Sequence, residues 1–141
     1  MAGLENLEDY EHDIESVEED VEETDEKLEN VNKRLDNLEN AISQLSGDKE
    51  VAQSLESNVE DAKEAKEQVE TEREELASQL EGIEEELKGL SQENEESAAV
   101  LEELESAGED VGDAKSIVEE RKGQIEANQS RIAELLNRLH R

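Results

Sequence analysis

Cysteine and proline are both missing from this 141-residue chain. Without cysteine there is no disulfide, no thiolate nucleophile and no zinc site of the cysteine type. Without proline, no residue of the strongest helix-breaking type interrupts the chain. The sequence therefore favours long helices that are held together by packing.

Aromatic residues are almost as scarce, with one Tyr and neither Phe nor Trp. Hydrophobic residues make up 32% of the chain and charged residues 41%, so a thick layered core would have to be filled by few, purely aliphatic side chains. This balance suits narrow seams between two to four helices. Disorder is the alternative for a chain of low hydropathy and high net charge, and the apolar periodicity argues against it.

Apolar residues recur in heptads. From Leu7 to Ile42 one core position repeats every seven residues, and a second follows it by three from Tyr10 to Leu45. This spacing keeps a narrow apolar seam on one helix face, which needs another helix to cover it. A second frame, out of phase with the first, runs from Leu55 to Leu139. The predicted packing seam consists of Leu7, Ile14, Val17, Val21, Leu28, Val31, Leu35, Leu38, Ile42, Leu45, Leu55, Val69, Leu76, Leu80, Ile83, Leu87, Val111, Val118, Ile125, Ile132 and Leu139.

The frames and the turn residues predict an all-α fold, a long antiparallel helical hairpin or a three-helix bundle with coiled-coil packing. We expect three segments, 1–46, 47–107 and 108–141, in one elongated domain. Ser46, Gly47 and Asp48 form the first predicted turn, with Asp48 able to cap the next helix. The second turn is placed at 106–113, with Asp110 or Asp113 as the cap, and a turn at Gly89 is the alternative.

Four basic residues fall at a core position of the second frame: Lys66, Arg73, Lys115 and Lys122. Long basic side chains at such positions lower stability but can set register, because their stems pack while their charges reach carboxylates at the edge of the seam. The alternative is that this edge of the helix is only half buried. Both interpretations stay open at this point.

Acidic residues outnumber basic ones by 44 to 14, for a net charge of -30. This charge repels phosphates and anionic membranes, so we expect no direct binding of nucleic acid. Residues 5–26 hold 13 carboxylates and no Lys or Arg, whereas residues 121–141 are locally basic. A possible acidic interaction face flanks the first seam and comprises Asp13, Glu18, Asp20 and Asp25.

These edge charges disfavour pairing with a parallel copy of the same helix, because like charges would oppose each other. An antiparallel bundle within the chain, or a partner with a basic surface, avoids that repulsion. The stretch 121–141 is the internal candidate, although Arg131 and Arg138 do not flank the predicted seam. The basic residues near the end can also complement the dipole of the last helix.

Motifs that carry chemistry are lacking, namely a phosphate-binding Gly loop, a nucleophile elbow and a calcium-binding loop. The two histidines, His12 and His140, are expected at the surface. We expect no catalytic residue, no metal and no cofactor. The start of the chain resembles no signal peptide and no apolar run is long enough to span a bilayer, which favours the cytoplasm, with export by a route that needs no cleaved signal as the alternative.

Two functions fit these features. The first is a non-enzymatic coiled-coil protein that serves as a structural scaffold, as an oligomerisation element or as an element of helix-mediated protein–protein interaction. The second is an acidic adaptor or chaperone for a basic or amphipathic-helical protein, or a mimic of nucleic-acid charge. A further account of the acidity is adaptation to high salt, where carboxylates keep a surface hydrated.

Overall fold

The structure is a computed structural model that describes the backbone of residues 2–45 and 47–140 and the side chains of residues 7–45 and 47–140. Its described residues form three helices: α1 (Ala2–Gln44), α2 (Lys49–Ser106) and α3 (Gly112–Leu139). No strand occurs in these ranges. The predicted all-α fold with three packed helices is confirmed.

The first turn follows the expected chemistry at Asp48. The Asp48 amide donates to the carbonyl of Leu45 at 2.8 Å, and the amide of Val51 donates to the Asp48 side chain at 3.4 Å. The carboxylate therefore accepts one of the amides that a helix leaves without an intrahelical partner at its start. The prediction that Asp48 caps α2 is confirmed. Ser46 lies outside the described residues.

The second turn lies between Ser106 and Gly112, and Gly89 is inside α2. Gly108 has a φ of 92°, a left-handed conformation that side chains rarely adopt. Its amide donates to Glu105 O and the Glu109 amide to Leu104 O, both at 3.0 Å, which satisfies carbonyls left open at the end of α2. On the far side, Asp110 Oδ1 accepts the amide of Gly112 at 3.3 Å. The N-cap residue of α3 is Val111 and no side chain caps the helix, so the predicted cap at Asp110 or Asp113 is wrong, although Asp110 holds the turn.

The described contacts divide the chain into two compact units. Unit 2 comprises residues 19–76 and is a hairpin made of the second part of α1 and the first part of α2. Its core cluster joins Val31 and Leu35 of α1 to Val59 and Ala62 of α2. Residues that come later in α1 thus meet residues that come earlier in α2, and the two helices run antiparallel, as predicted.

Unit 1 comprises residues 1–18 and 77–141 and contains parts of all three helices. Its most deeply buried side chains come from each of them: Ile14, Leu80, Leu87, Ile125 and Ile132. The prediction that the three segments form one elongated domain stays a prediction.

The core frame of α3 differs from the predicted frame. The sequence frame pairs the Ile125 position with the Lys122 position, but α3 buries Ile125, Asn128, Ile132, Leu135 and Leu139. The second core position is therefore one residue earlier than expected, at 128 and 135. A helix face defined by Asn128 and Leu135 keeps the same heptad spacing, and the polar Asn128 made this face hard to recognise in the sequence.

Candidate interaction surfaces

The side chains of the predicted seam residues are all buried or half buried, and none is exposed. Thirteen are buried, from Leu7 at one end of the chain to Leu139 at the other. The half-buried members are Leu28, Leu38, Ile42, Leu45, Leu55, Ile83, Val111 and Val118. The heptad face of α1 is thus covered by helices of the same chain.

Arg73 makes a buried polar contact across the hairpin of unit 2. Its Nη1 donates to Thr24 Oγ1 at 3.1 Å and also to the carboxylate of Asp25. Thr24 in turn donates its hydroxyl proton to the carbonyl of Val21 at 2.8 Å. Arg73 and Thr24 each occupy a heptad core position, so a polar pair stands where two apolar side chains would otherwise meet. Such a pair forms only at one alignment of the two helices.

The other three predicted register-setting residues differ in their surroundings. Lys115 forms an ion pair with Glu105 at 2.7 Å, which links α3 to α2, and Lys66 is half buried in α2. Lys122 is exposed. Its expected place at a core position is corrected by the shifted frame of α3, which brings the half-buried Arg121 to the packed face instead.

The predicted acidic face is divided by its internal contacts. Glu18 and Asp25 are half buried and pair with basic residues of the same chain, whereas Asp13 and Asp20 are exposed. Carboxylates held in ion pairs have part of their charge compensated within the chain. The exposed pair, Asp13 and Asp20, is the part of this face that a partner can reach.

Arg131 joins α3 to α1 within unit 1. Its Nη2 donates to Glu18 Oε2 at 2.8 Å, and its Nη1 lies 3.9 Å from Glu15 Oε1. The heptad frame read from the sequence predicted that Arg131 does not flank the seam. This prediction is wrong, because Ile132 and Leu135 are buried and Arg131 lies beside them. The locally basic part of the chain therefore does contact the acidic stretch 5–26. Arg141 is outside the described residues.

Asn94 is a buried polar residue of α2 that the sequence analysis did not single out. Its Nδ2 donates to the carbonyl of Val118 in α3 at 3.0 Å, while its buried Oδ1 has no hydrogen-bond partner among the described atoms. An amide at a core position could have been noticed from the heptad frame alone, because position 94 follows Leu87 by seven.

An open groove lies between α2 and α3, next to Asn94. Its volume is about 550 Å³. Its apolar lining comes from Val100 and Leu101 of α2 and from Ala114, Ile117 and Val118 of α3. Its polar lining consists of Glu93, Glu96, Ser97 and Arg121.

Apolar side chains around the groove are only partly covered. Throughout residues 95–124, all of which the structure describes, no residue is buried. Among the described residues, the exposed large apolar side chains are Val51, Val100 and Leu104, and the exposed fraction of Val100 is 54%. Two of these three lie on α2 within this stretch.

Tyr10 of α1 approaches Glu86 of α2. Partial burial raises the pKa of the Tyr10 hydroxyl above its ordinary value of 10.0, and a hydrogen bond to Glu86 and the negative charges of Glu86, Asp13 and Asp9 raise it further. A neutral phenol is favoured wherever water is excluded and carboxylates are near. Tyr10 thus reports on the contact between α1 and α2 in unit 1.

Groups that could carry other chemistry are not gathered in the part of the chain that the structure describes. No three His, Cys, Asp or Glu side chains there converge as metal ligands would. Within the same ranges, no helix combines the length and the apolar character that crossing a membrane requires.

The amino-acid sequence and the fold were also compared with known proteins. No protein-family model matches the chain, and neither the curated proteins nor the solved structures contain a match to it.

Proposed function

We propose that this chain is a non-enzymatic acidic scaffold that acts through helix-mediated contacts with other proteins. The observation that carries the proposal is the buried contact of Arg73 with Thr24 and Asp25. It ties α1 to α2 within the chain and in one register. The heptad seam of α1 is then used for the chain's own fold, and the outer helix faces are left for partners.

The charge of the outer faces supports the same function. A net charge of -30 keeps such surfaces hydrated and discourages random association. The open groove between α2 and α3 is lined by aliphatic side chains together with Glu93, Glu96, Ser97 and Arg121. Such surfaces suit binding of a helix better than the sheltered placement of an acid, a base and a nucleophile that catalysis needs.

The test is the behaviour of the isolated chain. Circular dichroism and light scattering at micromolar concentration should give strong helicity, one cooperative thermal transition and one defined particle mass. The melting temperature should rise with salt, because screening weakens the repulsion among carboxylates. A chain that is largely unfolded alone would contradict the scaffold.

The acidic adaptor is the second candidate, and the exposure of Asp13 and Asp20 favours it. These carboxylates belong to a stretch without Lys or Arg of its own, and although Arg131 of α3 pairs with Glu18 there, the remaining carboxylates attract a basic protein. The same measurements separate the two functions. An adaptor should gain helicity on addition of polylysine, whereas a scaffold should already have its full helicity.

A further inference from the structure

We infer that the groove between α2 and α3 is a docking site for one helix of a partner protein, an amphipathic helix with leucine-like side chains on one face and Lys or Arg at its edges. This inference rests on the proposed scaffold function and names the kind of partner. The groove is lined by residues 93–101 of α2 and 114–121 of α3.

The first argument is the lack of a core in this section. In the rest of unit 1, α2 and α3 contribute fully buried side chains such as Leu87 and Ile132. In residues 95–124 every side chain is half buried or exposed, including Leu101, Ile117 and Val118. Two helices alone cover only part of each other's apolar stripe, and a third helix placed in the groove buries what remains.

The second argument is the shape of the apolar surface. Val100 and Leu104 are one helical turn apart and both exposed, and Val100 also lines the groove. From Glu93 to Leu104, α2 has twelve residues and a length of roughly 18 Å. A partner helix of three to four turns can therefore lie along the groove and place several apolar anchors in it.

The third argument is charge, which selects the occupant. Residues 93–121 hold 11 carboxylates and two basic residues, Lys115, which is paired with Glu105, and Arg121, which lines the groove beside Glu93 and Glu96. A helix with Lys or Arg at its edges gains attraction from these carboxylates. A second copy of this chain, with a net charge of -30, would bring further carboxylates against them.

The groove in unit 2 is a weaker candidate for the same role. It is lined by Val31, Ala65 and Val69, but also by Lys27 and Arg34, and Lys27 lies 3.7 Å from Glu72 across the hairpin. Its two cations disfavour a basic helix more strongly than the single Arg121 of the α2–α3 groove does. The α2–α3 groove combines the exposed Val100 with the carboxylates of Glu93 and Glu96.

The experiment uses the full chain and a fluorescent peptide of about 14 residues made only of Leu and Lys, with Leu on one helical face. Fluorescence anisotropy at physiological salt measures binding. The matched variants are Val100→Asp, inside the groove, and Val51→Asp, an exposed valine of α2 outside it. Both add one negative charge, so diffuse attraction changes equally in the two variants.

Val100→Asp should weaken binding at least about tenfold, because a carboxylate replaces an apolar anchor, and Val51→Asp should change it less than about twofold. Glu96→Gln should weaken binding about threefold, against no change for the exposed Glu56→Gln. A peptide of the same composition in scrambled order, without an apolar face, should bind at least about tenfold more weakly. Circular dichroism confirms that each variant keeps the helicity of the parent.

Equal binding by the two valine variants, or by the ordered and scrambled peptides, would overturn the inference. So would a doubled particle mass that Val100→Asp abolishes, since a second copy would then occupy the groove. If the chain folds on its own but does not bind the peptide, the docking site is contradicted and the scaffold function is not. If the chain is unfolded on its own, the scaffold function is contradicted. The comparison of Val100→Asp with Val51→Asp then still shows whether the bound peptide lies in the groove.

Discussion

The two compact units bury the same kind of heptad position to different depths. In unit 1 the exposed fractions of Ile14, Leu80, Leu87 and Ile132 are all 0%. In unit 2, Val21 and Ala62 are also 0% exposed, but Val31, Leu35 and Val59 keep 7 to 9%, and Leu28, Leu38 and Ile42 are only half buried. Unit 1 draws on three helices and unit 2 on two. An aliphatic seam without aromatic residues is fully covered when two neighbours close over it.

The section 95–124 extends the comparison, because there only α2 and α3 contribute and nothing is buried. Unit 2 also has two helices but buries a cluster between them. The difference lies in composition. α2 contributes Ser97, Ala98 and Ala99 to its section, whereas unit 2 packs Val31 and Leu35 of α1 against Val59 and Ala62 of α2.

The largest expected effect is a loss of stability on Leu→Ala substitution, which we compare between one leucine of each unit. Leu80→Ala in unit 1 should lower the free energy of unfolding by about 3 kcal/mol, because the side chain is fully enclosed and leaves a cavity. Leu28→Ala in unit 2 should cost about 1 kcal/mol, because the half-buried leucine loses less area and water fills the space. Urea denaturation followed by circular dichroism measures both.

Leu104→Ala is the control, since Leu104 is exposed and the substitution should change stability by less than about 0.5 kcal/mol. Equal costs for Leu80→Ala and Leu28→Ala would show that the third helix adds no protection, and the comparison between the units would fail.

The next effect concerns the polar contact of unit 2. Asp25→Ala should destabilise the chain by about 2 kcal/mol, because it takes an ionic acceptor from a guanidinium that is almost fully buried. Arg73→Met should cost less than about 1 kcal/mol, since a long apolar side chain fits the core position and water reaches the partly exposed Asp25. Thermal and urea unfolding measure both variants.

Asp20→Ala is the matched control for Asp25→Ala, because it removes the same charge from an exposed position of α1. Its effect should stay within about 0.5 kcal/mol. A larger loss of stability for Arg73→Met than for Asp25→Ala would show that the buried Arg73 does not depend on Asp25. The register-setting interpretation would then lose its basis.

The smallest expected effect is a shift in the pKa of Tyr10, which tests the contact between α1 and α2 in unit 1. Its pKa is raised in the folded chain, so the stability it contributes is present below pH 10.0 and is lost as the pH rises through the folded-state pKa. Tyrosinate absorbance should therefore appear at higher pH in the folded chain than in urea. Because Tyr10 is the chain's single aromatic residue, the signal has one source.

Glu86→Gln should bring the folded-state midpoint closer to the one in urea, because it removes a negative charge beside the hydroxyl. Identical midpoints for the folded and the urea-treated parent chain would mean that Tyr10 does not pack against α2 in unit 1.

Much of the fold could be predicted from local signals. Asp48, Gly108 and Asp110 act over a few residues, so the sequence places the turns, and the alternative at Gly89 is settled by its position inside α2. Arg73 stood out because a charge at a heptad core position is unusual. Its partners, Thr24 and Asp25, lie 49 and 48 residues away, and no local pattern names them.

The misjudged positions are in α3. The sequence frame put Lys122 in the core and Arg131 outside it, whereas Lys122 is exposed and Arg131 pairs with Glu18. Two heptad faces that differ by one residue were both available there, and Asn128 disguised the one that is buried. The groove was also missed, because residues 93–121 continue the heptad frame and appear as seam in the sequence.

The sequence by itself determined that the chain forms three long helices with an apolar face on each, the first two strongly acidic, because heptad spacing, turn residues and charge act locally or through composition. Only the tertiary structure decided which face of α3 is buried, which carboxylates are paired and where an apolar stripe stays uncovered. Those outcomes depend on how many helices surround each position, and that number comes from contacts between residues far apart in the chain.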